Sequence, residues 1–212
     1  MSLSSADWAT VASLATAAGT LVLAIATFAS VRTSNRAARV AEQSLLVGLR
    51  PVLVPTRPGD PAQRIRFMDD HWVVAEGQTP AIDVTDTAIY LAFGVRNVGS
   101  GLGVLDRWKI QISDAPNPEH ADPAHFRRLT RDLFVAPGDV GFWQGALRDD
   151  DPWRAPVAAA IAARSLILIE LLYGDHEGGQ RTITRFGLVP DGDNEWVVVV
   201  SRHWNLDRSD PR

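Results

Sequence analysis

The first part of this chain has no polar rhythm. Residues 9–31 run twenty-three positions without a charged side chain, and Arg32, Arg36 and Arg39 follow at once. A helix rising about 1.5 Å per residue makes that run long enough to cross a hydrocarbon core of about 30 Å. No Gly or Pro interrupts residues 20–47, so the helix is predicted to continue to Leu49, with Gly48 and Arg50-Pro51 as its stop. From Pro51 the period changes. Runs of Val, Ile, Leu, Phe and Trp, separated by Gly, Asp, Asn and Pro, predict strands at 52–55, 64–67, 72–75, 88–96, 104–112, 129–135, 140–146, 166–173, 182–188 and 196–203. One helix interrupts them, with Asp151 as its cap, Pro152 in its first position and an Ala-rich run to Arg164.

Ten short strands joined by hairpin-length turns make a mainly β chain, an antiparallel β-sandwich behind an N-terminal transmembrane and juxtamembrane α-helix, with one short inserted helix. The apolar runs 166–169 and 197–200 read as central strands and are expected to pair. The expected division is an anchor at 1–49, a sandwich at 50–206 and a frayed tail at 207–212.

The span has the marks of a retained anchor. Ser4 and Asp7 have the spacing of a helix start, Trp8 falls at headgroup depth, and Arg32, Arg36 and Arg39 can reach the opposite interface. No basic residue precedes the span and three follow it, which predicts the N-terminus outside and the C-terminal domain in the cytoplasm, at a bacterial inner membrane. A cleaved signal peptide is the competing reading. Thr27-Phe28-Ala29 offers a small-residue cleavage site, but Asp7 stands where positive charge is wanted. A buried helix of a soluble domain is the other. The span is Ala-rich and only modestly apolar, and Ala15 and Gly19 stand four apart, as small residues do where helices approach closely. A further narrow stripe runs through Val31, Ser34, Ala38, Ala41, Leu45 and Gly48. It would suit a short seam between copies, or the chain's own domain.

Charge narrows the partners. The chain has a formal net charge of −4, and residues 1–50 carry four Arg against Asp7 and Glu42, so the remainder stands at −4 − 2 = −6. That excludes nucleic acid as the expected partner. With no Cys in the chain, disulfides and thiolate chemistry are excluded.

Val95-Arg96-Asn97-Val98-Gly99-Ser100-Gly101 resembles the N-x-G-x-G turn of bacterial immunoglobulin-like sandwich domains. Tyr173-Gly174-Asp175, with Gly178-Gly179 and Arg181-Thr182, resembles a hairpin of the same group. Asp7-Trp8 and Arg50-Pro51 match the layout of bacterial, actinobacterial-type single-pass membrane proteins, in which a "DW"-led helix joins an "RP"-initiated sandwich. Leu102-Gly103 departs from the Pro-Ala expected after the turn. The resemblance implies an immunoglobulin-like fold and brings no functional residues with it, since the group is without assigned activity. Gly99 and Gly101 are expected to supply positive φ for a tight bend.

Candidate chemistry is sparse. His71, His120, His125, His176 and His203 include no pair at H-x-H or H-E-x-x-H spacing. Asp191-Gly192-Asp193-Asn194-Glu195 starts like a calcium loop but lacks its Gly at position six and Glu at position twelve. There is no G-x-S-x-G elbow, and Asp175 with Glu177 is a carboxylate pair without supporting spacing. No catalytic, cofactor-binding or metal residue is therefore assigned, and no cofactor is expected. The anchor rests on Trp8, Gly19, Arg32, Arg36 and Arg39. Candidate interface residues are Ala15 and Leu45 on the helix, with Arg202 and an exposed Trp204 on the last strand. The expected protein is a non-enzymatic cytoplasmic interaction or scaffold module on the lipid bilayer, with a membrane-protein partner or a second copy held through the helix. Two alternatives stand beside it: a membrane-attached enzyme or ligand sensor using the His- and Asp-bearing loops, and an exported sandwich released by signal peptidase.

Overall fold

Strict alternation gives way to two-sided burial along three stretches, 88–95, 167–173 and 182–188, one inside one sheet and two inside the other. A computed structural model describes residues 5–112, 117–192 and 195–208, and for residues 5–7, 43 and 45–47 it describes the backbone alone. The chain divides into two units, Met1–Val47 and Gly48–Arg212. The first is α1 (Ser5–Gly48), one helix of 44 residues, close to the predicted length. Ser4 and the Asp7 side chain, which were to start it, lie outside the described residues.

In the second unit, one sheet is built on β5 (Ala88–Asn97). On one side, β5 pairs antiparallel with β1 (Leu53–Pro55) and β4 (Ala81–Val84); on the other it pairs with β8 (Val140–Arg148). The other sheet has five antiparallel strands. They are β6 (Gly103–Ile112), β7 (Arg127–Val135), β9 (Ile167–Gly174), β10 (Arg181–Asp191) and β11 (Glu195–Asn205), in the order β11-β10-β9-β6-β7. Ile89, Leu91, Phe93 and Trp143 of the first sheet interdigitate with Trp108, Ile110, Ile169, Leu171 and Phe186 of the second. This face-to-face packing is the main core. The short helix α2 (Arg154–Ala162) adds Val157 and Ala160 to it.

Each sheet's outer face has its own cover. A hairpin, β2 (Gln63–Arg66) with β3 (Trp72–Ala75), lays Ile65, Phe67, Val73 and Ala75 over Ala88, Tyr90 and Ala92. On the five-stranded sheet, the segment around the 3-10 turn Pro123–His125 brings Phe126 onto Leu172, Ile183 and Trp204.

Four expectations are corrected. The runs 166–169 and 197–200 do not pair: β10 lies between them, because the tight turn after Gly174 sets β10 directly beside β9, and β11 is left at the edge. Strand β4 was not foreseen; it is four residues long between Pro80 and Thr85. Helix α2 begins at Arg154, not Pro152. Asp151 spends its carboxylate on the Trp153 amide (2.9 Å) and on Arg127, closing the turn before the helix. Last, Asp207 does not fray. It is gripped by Arg50, whose guanidinium also donates to Asn205 Oδ1 (2.9 Å) and Thr182 Oγ1 (3.2 Å).

Candidate functional site

The helix is the feature with the plainest physical demand. Trp8–Glu42 is long and apolar enough to cross a membrane, and each of its side chains is exposed. Three of its hydroxyls are satisfied within the helix: Thr16 donates to the Ala12 carbonyl, Thr20 to Thr16 and Thr33 to Ala29, each at 2.9 Å. Ala15 and Gly19 leave a smooth strip, and nothing stands within 4 Å of a Cβ placed at Gly19. Arg32, Arg36 and Arg39 share one stripe with Phe28 and Asn35. The side chain of Leu45 lies outside the described residues.

The N-x-G-x-G turn has a different purpose from the one expected. Neither Gly99 nor Gly101 has a positive φ. They are needed for close approach: a Cβ at Gly101 would stand 1.6 Å from the Leu49 carbonyl oxygen, and one at Gly99 would stand 2.2 Å from that of Arg50. Buried Asn97 holds the contact. Its Oδ1 accepts from the Val52 amide (3.1 Å) and the Gly99 amide (3.0 Å), and its Nδ2 donates to Gly101 O (2.6 Å) and Val135 O (3.0 Å). The turn is thus a socket for the point at which the chain enters the sandwich.

Arg202 and Trp204 come together as expected from their alternation, with the Arg202 guanidinium 5.4 Å from the indole, but not as an exposed anchor. Trp204 is 5% exposed. The register aligns Lys109, Glu170, Arg185 and Arg202 across β6, β9, β10 and β11, three cations to one carboxylate. Segment 117–126 answers the imbalance with its backbone. Arg185 donates to the carbonyls of Asn117 and Glu119, Arg202 to that of Pro118 (2.8 Å), and Glu170, paired with Arg185, accepts from the Ala121 amide (2.9 Å). His120 meets Trp204 edge-on at 5.7 Å. This row locks the domain's own strap, which is what buries Trp204.

The other histidines serve locally or not at all. His71 stacks on Tyr90 at 3.9 Å and bonds Asp83 (2.8 Å). His125 and His176 are exposed. Thr184 links His203 (2.7 Å) to the buried Tyr173 hydroxyl (2.9 Å), whose pKa burial pushes up. Among the described residues, no group of three or more His, Asp or Glu side chains could hold a metal ion. Asp193 and Asn194 of the calcium-like turn lie outside them. Asp175 accepts from the Gln180 amide (3.3 Å) within its turn, while Glu177 is exposed.

Two features escaped the sequence. One is a cleft of about 160 Å³ beside the edge strand β8, lined by Phe67, Met68, Trp108, Arg128 and Gln144 among others. Gln144 is buried there and its Oε1 has no hydrogen-bond partner. The second is the outer face of the β2–β3 hairpin. Trp72, 48% exposed, stands opposite Arg66 and carries the Arg64 guanidinium at 4.6 Å over its ring. Parity was the available signal: Ile65 and Val73 point inward, so Trp72 and Val74 cannot.

No protein-family model matches the chain, and no curated protein matches it. Among solved structures it is similar to the β-glucosidase of Kluyveromyces marxianus in complex with glucose, at 15% identity over 60% of this chain and a TM-score of 0.21. The selenomethionine-labelled form of that β-glucosidase gives 14%, 60% and 0.22. The chain spans 13% of the length of each, and at these TM-scores the likeness carries no weight for fold or activity.

Proposed function

We propose that the chain is a single-pass membrane protein whose immunoglobulin-like sandwich acts, without catalysis, as an interaction or scaffold module at the cytoplasmic face of a bacterial inner membrane. The observation that carries this reading is α1: thirty-five residues from Trp8 to Glu42, all exposed, with the hydroxyls of Thr16, Thr20 and Thr33 returned to the backbone. The exposed uncharged surface of residues 9–31 is better accommodated by lipid than by water. Arg32, Arg36 and Arg39 on its C-terminal side support the orientation. The mechanism is tethering, in which anchorage raises local concentration and makes a weak contact of the sandwich effective. Its partner is another membrane protein or a second copy, met through Ala15 and Gly19.

The test is recovery of the full-length chain from cross-linked native membranes. A stoichiometric partner supports the scaffold reading, and recovery with only itself favours the second copy. Release of the chain from membranes by alkaline carbonate overturns the anchor.

A further inference from the structure

The sandwich is open where its two sheets part. Strands β7 and β8 follow one another across a tight turn, yet they belong to different sheets, and each is an edge strand. Along β7 the ladder to β6 jumps: Leu105 faces Leu133, and the next aligned pair is Arg107 with Arg128. Residues 129–132 are left without aligned partners, and from among them Arg131 donates to the Arg66 carbonyl beside the hairpin tip. The cleft of about 160 Å³ lies between this irregular stretch, β8 and the tip.

Its lining combines an apolar surface with unmatched polar groups. Phe67, Met68 and Trp108 supply the apolar part. Gly145 lets the Trp108 ring sit against bare backbone, since a Cβ there would stand 2.9 Å from it. Gln144 is 3% exposed, and its Oε1 has no hydrogen-bond partner. An unpaired buried oxygen costs stability, and folds keep such exceptions mainly at functional sites. Of the three guanidinium groups on the lining, Arg127 is held by Asp151 and Arg148 by Asp69. Arg128 has neither an ion pair nor a side-chain hydrogen bond among the described residues. With Asp149 and Asp150 just past β8, the surrounding surface is not basic. Selection therefore lies in the lining itself, where no carboxylate stands.

We propose that this cleft binds a small aromatic carboxylate carrying a hydroxyl or amino donor. A dry cavity of about 150 Å³ holds one benzene, so the volume suits a single six-membered ring. The ring lies against Phe67 and Trp108, the carboxylate pairs with Arg128, and the donor reaches Gln144 Oε1. The site is built entirely from the sandwich and is independent of whether α1 spans a membrane.

The full-length protein in detergent is titrated calorimetrically with para-hydroxybenzoate, with detergent alone as the blank. A dissociation constant on the order of 1 mM or tighter is expected. The corresponding neutral benzamide is expected to bind about ten-fold more weakly, and Arg128→Gln to erase that difference. Benzoate, which lacks the hydroxyl, is expected to bind the native chain several-fold more weakly than para-hydroxybenzoate. Gln144→Leu is expected to bind the two equally and to raise the denaturation midpoint, because it removes the unpaired oxygen. Absence of heat above the detergent blank overturns the proposal. So does binding that neither substitution alters, which places the probe elsewhere on the protein, and so does equal binding of the benzamide and the carboxylate to the native chain.

Discussion

Arg50 and Asp207 lie 157 positions apart and form a two-pronged ion pair that joins the start of the sandwich to its end. Arg50 Nη1 bonds Asp207 Oδ1 at 3.0 Å, and the second prong reaches Oδ2. The Arg50 side chain is 10% exposed and that of Asp207 25%. Arg50→Ala strands the Asp207 carboxylate and the acceptors on Asn205 and Thr182. It is expected to lower unfolding free energy by about 2 kcal/mol, read by chemical denaturation of the full-length chain in detergent, with Arg50→Lys recovering only part.

The same pair fixes a pH dependence. Burial pulls the Asp207 carboxyl upward, but Arg50 and the Arg181 amide outweigh it and hold the group below its ordinary value. Asp151 behaves alike: burial raises it, while Arg127 and the Trp153 amide bring it below. Between each folded and unfolded pKa the unfolded chain binds more protons, so stability rises with pH there. The contribution is complete above the ordinary carboxylate range near pH 4 and is lost as pH falls through the depressed values. Asp207→Asn is expected to flatten the fall in denaturation midpoint between about pH 4 and pH 2. An unchanged slope contradicts the assignment.

Gly101→Ala tests close approach against conformational freedom. The added methyl meets the Leu49 carbonyl, so a loss of at least about 1–3 kcal/mol is expected. Gly59→Ala, with nothing within 4 Å and no positive φ, is expected to stay within about 0.5 kcal/mol. Similar melting temperatures for the two variants would remove the socket role of the turn.

Glu170 and Arg185 are a buried ion pair, and breaking it by Glu170→Gln is expected to cost about 3–5 kcal/mol. Because Arg185 also holds the carbonyls of Asn117 and Glu119, Arg185→Leu is expected to loosen the strap and raise hydrogen exchange from residue 117 to Phe126. The double variant is expected to cost less than the sum of the two, as for residues acting as one unit.

In the helix, Ala15→Leu and Gly19→Leu thicken the strip offered to another helix. A shift of the detergent-solubilised protein to a smaller assembly is expected by light scattering. Unchanged mass excludes association through this strip.

Where the sequence was legible, local periodicity sufficed. The long apolar helix, the mainly β texture, β3 at its observed bounds and the two-sided burial of β9 all follow from apolar spacing. What escaped depends on distant partners. Trp204 and Trp72 look alike in sequence; segment 117–126 buries the first, and the orientation of a hairpin exposes the second. Gly99 and Gly101 read as turn glycines, while their real constraint comes from the chain at residues 49–51. Strand β4 is no shorter than β3 but does not alternate: Ala81, Ile82 and Asp83 are all half-buried, where β3 alternates exposed and buried. The carbonyls that balance the Lys109–Glu170–Arg185–Arg202 row leave no mark in side-chain chemistry.

The Arg50 clamp also decides how the sandwich bears load. A pull arriving along α1 enters the domain at Arg50, next to the short strand β1, which alone would peel away from β5 one hydrogen bond at a time. The guanidinium instead passes the load to Thr182, Asn205 and Asp207, at the paired ends of β10 and β11. Those strands share a register of ten aligned pairs and resist together. A domain pulled through its N-terminal helix would therefore yield as a unit, at the clamp, before its edge unravelled.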